Sequence, residues 1–87
     1  PGTQAQSDDE LNEYIRSKAD TAYHPCGTCK MGVDEMAVVD ENLKVKGIQN
    51  LRVIDASVIP EIPSANLNAP TLMIAEKGSD CILQSRY

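Results

Sequence analysis

The sequence predicts a mixed α/β or α+β fold without internal repetition. Helical patterns frame the chain, short β-branched runs lie between them, and no βαβ rhythm recurs. Eighty-seven residues suffice for one small domain at most, and a chain of this size buries only roughly 60% of its unfolded surface. With three Tyr and neither Trp nor Phe, the core must come from Val, Ile, Leu, Met and Ala.

The elements follow in chain order. Ser7 followed three residues later by Glu10 is a capping box, and Asp8, Asp9 and Glu10 suit a helix N-terminus. Leu11, Tyr14 and Ile15 then share one face of a helix over residues 8–19. Pro25, Gly27 and Gly32 make residues 21–32 extended chain and loop. Residues 37–39 are a short strand, Asp40-Glu41-Asn42 and Lys46-Gly47 supply turns, and residues 51–55 (LRVID) are the best strand pattern in the chain. Three prolines between 60 and 70 forbid regular structure, and Pro70 is suited to be the first residue of a helix reaching to about Leu83.

Composition excludes several function classes. A net charge of −5 with scattered basic residues argues against nucleic acid, whose phosphates need clustered Lys and Arg. No apolar run approaches the roughly 20 residues of a membrane-spanning helix, and the polar start PGTQAQSDDE is unlike a signal peptide. Three cysteines, an odd number, speak against a disulfide scaffold and for a reducing, cytoplasmic location.

Two stretches hold the residues capable of chemistry. In HPCGTCKMG (24–32), His24, Cys26 and Cys29 could ligate zinc, but a structural site takes four ligands, usually in two separated pairs. A thioredoxin-like dithiol needs its C-x-x-C at a helix start after a strand, which Lys30-Met31-Gly32 does not provide. The simplest account of the thiols is that they are small, inert apolar groups. His24 precedes Pro25, which biases it towards extended backbone, and Gly27 and Gly32 permit close approach of another body. In SANLNAPT (64–71), the chain enters the last helix with no acid in the first turn. Such a bare helix start can seat the negative end of a ligand, or Asn68 can simply cap it.

With AVVDENLKVKGIQNLRVIDASVIP (37–60) between them, YHPCGTCKMG (23–32) and SANLNAPTLMIAEKGSD (64–80) carry a family likeness. Over about residues 7–85 the chain resembles the C-terminal portion of the glucose–methanol–choline (GMC) flavin oxidoreductases, in their choline and aliphatic alcohol dehydrogenase branch. The Gly27-Thr28-Cys29 wording is closer to the broader alcohol dehydrogenases than to the choline enzymes. The resemblance implies catalytic roles for His24 and Asn68. It implies cofactor contacts from Asp55-Ala56, near the phosphate and ribitol region of FAD, and from Asn68, Ala69, Pro70 and Thr71, facing the pyrimidine side of the flavin. It implies no metal. Residues 7–50 would then lie on the substrate-domain side with the His24 loop, and residues 51–87 would return one strand and the last helix to the FAD-binding domain.

The implied reaction removes a hydroxyl proton from an alcohol and a hydride from its carbon. Imidazole, with an ordinary pKa of about 6.5, suits the proton, and the Asn68 amide would orient the same oxygen. The expected partners are a small alcohol, the remainder of the flavoenzyme chain and, for the parent, an electron acceptor that could be membrane-associated. No G-x-G-x-x-G turn for a dinucleotide occurs in the 87 residues. This segment is therefore expected to hold no FAD by itself, to be inactive alone, and to self-associate through exposed apolar surface. The alternative is a stand-alone zinc or interaction module built on His24, Cys26 and Cys29.

Overall fold

The computed structural model describes residues 1–85. Its first long element, α1 (Asp8–Lys18), begins where the capping box places it. Ser7 Oγ accepts the Glu10 N–H at 3.2 Å, and the Ser7 hydroxyl donates to Glu10 Oε1 at 3.0 Å. The glutamate thus returns to the capping hydroxyl. Three acids in the first turn and Arg16 and Lys18 in the last complement the helix dipole. No residue of α1 is buried: Leu11 is half-buried, and Tyr14 and Ile15 are exposed.

The core lies downstream. Val39 and Val58 are fully buried and meet Leu43 and Ile74, with Met31, Val38, Val45, Val53, Ile54 and Ile59 packed around them. Backbone bonds tie this region together. Cys29 and Met31 donate N–H groups to the carbonyls of Ser57 and Val58, both at 2.9 Å, so the loop after His24 lies along the Asp55–Val58 segment. Gly27, at φ +90°, passes this seam with its Cβ position 3.4 Å from the Ile59 carbonyl oxygen. Residues 43–45 pair antiparallel with 51–53 through Val45 N–H to Leu51 O and Val53 N–H to Leu43 O.

The strands expected at 37–39 and 51–55 do not form as regular strands, so the described residues do not reproduce the mixed α/β detail. The described residues contain two α-helices, two 3-10 turns (Gly2–Gln4 and Ala56–Val58) and, in place of strands, single bridges: Met31 with Val39 in parallel, Val39 with Val45 and Lys44 with Arg52 antiparallel. The cause is local. Leu43 adopts φ +64° and Asn50 φ +60°, so each arm of the hairpin is bent out of the extended region at its end. Downstream, the LRVID run is cut off at Asp55, which caps a single 3-10 turn over Ala56–Val58. Within these 85 residues the extended run at 51–55 has only the short 43–45 arm to pair with.

The second helix, α2 (Asn68–Gln84), starts two residues before the expected Pro70, which becomes its third residue. Pro70 is tolerated there because the first-turn N–H groups have no intrahelical acceptor. α2 buries Ile74 and Gly78. A Cβ on Gly78 would lie 2.5 Å from Ile54 Cγ2, so glycine is what lets the helix close onto residue 54. The remaining faces of α2 leave Leu72, Met73 and Leu83 exposed. The molecule measures 65 × 26 × 14 Å with a radius of gyration of 19.0 Å, against about 12 Å for a compact domain of this length.

Candidate functional site

His24 is placed by a strained approach and a packed exit. Asp20 Oδ1 accepts the Thr21 N–H at 2.7 Å, and Thr21 Oγ1 accepts the Tyr23 N–H at 3.0 Å. These contacts hold Tyr23 at φ +62°, a left-handed conformation that a bulky residue adopts only when its surroundings fix it. After His24, the hydrogen bonds of Cys29 and Met31 anchor the loop to the Val58 core. The half-buried imidazole opens onto a shallow groove walled by Thr21, Ala22, Ile62, Pro63 and Ser64.

The opposite wall is Asn66. Its amide nitrogen lies 2.9 Å from His24 Nε2, and the Leu67 N–H lies 3.5 Å from Nδ1. Asn66 Oδ1 in turn accepts the Asn68 N–H at 2.7 Å, a side-chain turn reaching two residues along the chain. Leu67 is buried, and its carbonyl accepts both the Thr71 N–H at 2.9 Å and the Thr71 hydroxyl at 2.6 Å. Thr71 thereby fixes the peptide that leads from Asn66 into α2.

Of the residues singled out from sequence, the structure brings His24 to the 64–68 segment but hydrogen-bonds it to Asn66. Asn68 stands at the first position of α2 with an exposed side chain that makes no hydrogen bond among the described residues. Asn66 was not singled out. The signal available for it was the Asn66-x-Asn68 spacing itself, since Asn commonly bonds the backbone two residues on. Asp55 is exposed, and its carboxylate is committed to its own turn, accepting the Ser57 N–H at 2.8 Å and the Ser57 hydroxyl. Both contacts use Oδ1, so Oδ2 and the Asp55-Ala56 backbone are left to meet a ligand.

At the start of α2 no acid occupies the first turn and no side chain of Leu67 caps it. The Asn68 N–H is taken and Pro70 has none, so Ala69 offers the free amide beside the positive helix end. Cys26, Cys29 and Cys81 are free thiols. Among the described residues no three His, Cys, Asp or Glu side chains gather to hold a metal ion, so the zinc alternative finds no ligand set there. No described helix is long and apolar enough to cross a membrane.

Residues 1–75 fit the sequence profile described as GMC oxidoreductase. The chain belongs to the GMC oxidoreductase family. It is 60% identical over 82 residues to an oxygen-dependent choline dehydrogenase of Klebsiella pneumoniae (strain 342), covering 94% of this chain and 15% of that protein. It is 57% identical, with the same coverage, to the oxygen-dependent choline dehydrogenase of Escherichia coli O157:H7. Among solved structures, pyridoxine 4-oxidase from Mesorbium loti superposes with a TM-score of 0.82 at 44% identity, over 92% of this chain and 16% of that one. The chain thus spans about 15% of the length of these curated relatives. Choline enzymes match it closely although its Gly27-Thr28-Cys29 wording points to broader alcohol dehydrogenases.

Proposed function

We propose that this chain is the C-terminal segment of an FAD-dependent oxidoreductase acting on the CH–OH group of a small alcohol, with choline as the first substrate to test. The observation that carries the reading is the His24–Asn66 contact of 2.9 Å at the mouth of a groove, on a segment that leads into an acid-free helix start. His24 receives the hydroxyl proton. The amides of Asn66 and Asn68 orient the alcohol oxygen, with Asn66 the nearer to the imidazole. Both lie within three residues of the α2 start, so one rigid element positions them.

The residues present fit FAD, which when bound supplies the hydride acceptor. The Ala69 N–H, with the positive end of α2 behind it, would favour negative charge on a ring edge, and Pro70 and Thr71 would line the same end. The Asp55-Ala56 backbone would face the phosphate and ribitol part. The division at about residue 50 is kept in this proposal: residues 7–50 carry the His24 loop, and residues 51–87 join the FAD-binding domain. The remainder of the flavoenzyme chain is then this segment's obligatory partner.

In the complete enzyme, His24→Ala is expected to lower kcat/KM by roughly 10²–10⁴ with flavin content unchanged. Near-normal turnover would remove His24 from the proton-accepting role. Loss of flavin together with activity would make it a structural residue.

A further inference from the structure

We infer that the turn formed by Asn66 and the Asn68 N–H locks the tautomer of His24, leaving the Nε2 lone pair as its proton acceptor. The inference rests on the alcohol-oxidising reading for its kinetic part only. A neutral imidazole has one N–H and one lone-pair nitrogen. Two donors nevertheless face the ring, the Asn66 amide at 2.9 Å from Nε2 and the Leu67 N–H at 3.5 Å from Nδ1. Both cannot be hydrogen bonds to one neutral ring. At 2.9 Å the Asn66 contact is a full hydrogen bond, whereas 3.5 Å lies beyond the usual N–H···N range.

The remaining question is which end of the Asn66 amide faces the ring. That orientation is settled by its second contact. Oδ1 accepts the Asn68 N–H at 2.7 Å, and turning the amide over would set NH₂ against N–H, two donors face to face. The oxygen is therefore pinned to the helix start and the NH₂ is presented to Nε2. Nε2 must then be the lone-pair nitrogen, with the ring hydrogen on Nδ1.

Asn68 acts here through its backbone, as a positioning residue, whatever its side chain does. For an alcohol proton to move to Nε2, the alcohol hydroxyl must first take the place of the Asn66 N–H on that lone pair. The displaced Asn66 N–H can then donate to the same alcohol oxygen. The lock thus selects the nitrogen that accepts the proton, and it leaves a donor beside that nitrogen once the proton has moved.

The test compares Asn66→Asp with Asn66→Ala in the complete flavoenzyme. Aspartate keeps the shape and still accepts the Asn68 N–H, but it turns an acceptor towards Nε2 and so calls for hydrogen there. Alanine removes the bond and leaves the ring free to choose. The lock predicts that Asn66→Asp falls at least about 10-fold below Asn66→Ala in kcat/KM, because its Nε2 already carries the ring hydrogen and cannot accept a proton. A merely structural role for Asn66 predicts the reverse order, since aspartate preserves the turn. The second readout is ¹⁵N NMR of histidine-labelled enzyme, with the His24 signals identified by their loss in His24→Gln. Wild type should show a lone-pair Nε2 shift and a protonated Nδ1 shift, and Asn66→Asp should show Nε2 protonated. A wild-type ring with hydrogen on Nε2 overturns the lock even if the enzyme oxidises alcohols. The expected shifts in a protein that oxidises no alcohol sustain the lock and remove the function proposed above.

Discussion

The Asp34 carboxylate accepts a hydrogen bond from the Lys30 ammonium at 2.9 Å, while Lys46 Nζ donates to the Asp34 carbonyl at 3.2 Å. The Lys30 hydrogen bond holds the Asp34 carboxyl below its ordinary value. A depressed carboxyl pKa stabilises the fold above the unfolded value, and that contribution is lost as pH falls through the lowered one. The pair is exposed, with the Asp34 side chain at 52%, so its contribution to stability is small and salt-sensitive. Following the Asp34 carboxyl carbon through an acid titration, Lys30→Gln should move the midpoint up towards the ordinary carboxylate value. An unmoved midpoint would show that Lys30 is not the cause. Legibility at this scale depends on how far a residue's chemistry reaches. His24 announced itself by its uniqueness and by Pro25. The exposed Asn66 did not: the Asn66-x-Asn68 spacing can mark its turn, but its contact with His24 spans 42 positions, which local spacing cannot reveal.

At the scale of the element, the two helices were readable because their signals are local. The capping box fixed the start of α1, and Pro70 marked the start of α2 to within two residues. The strands were not readable, because β-pairing depends on partners and on backbone reversals such as Leu43 and Asn50 that no propensity marks. Gly78 gives the sharpest test of an element. Alanine is the better helix former by about 1 kcal/mol, yet its Cβ would meet Ile54 Cγ2 at 2.5 Å. Ile54 is β-branched and half-buried, so it gives way at a cost of about 1–3 kcal/mol. Denaturant midpoints of the complete enzyme should therefore fall with Gly78→Ala. In an Ile54→Ala background the same substitution should become neutral or stabilising, because the clash is gone and the propensity gain remains. Equal effects in both backgrounds would mean that α2 does not pack on residue 54. Ser7→Ala should behave differently. It should speed amide exchange within α1 and leave the Val39 amide unchanged, since no residue of α1 is buried.

The whole molecule is held by a core that is small for its length. Among the described residues only Ala37, Val39, Leu43, Val58, Leu67 and Ile74 are buried apolar residues, while Ile15, Leu72, Met73 and Leu83 are more than half exposed. The 19.0 Å radius of gyration and the 15% share of its relatives that the chain spans accord with the proposal that a larger body covers these exposed residues. Expressed alone, the chain should therefore scatter X-rays as an expanded or self-associated species, melt without a cooperative transition and bind an apolar-surface dye. Within the complete flavoenzyme, the same residues should melt with the rest in one transition, and flavin should raise its midpoint. A monomer with a radius of gyration near 12 Å and a sharp melt would show that the chain is its own domain. The His24–Asn66 contact would then have to be explained without a neighbouring flavin domain. An expanded chain that becomes compact when the remaining domain is supplied in trans would instead locate the missing stabilisation in the interface itself, with the exposed side of α2 at Leu72 and Met73 as the surface to mutate first.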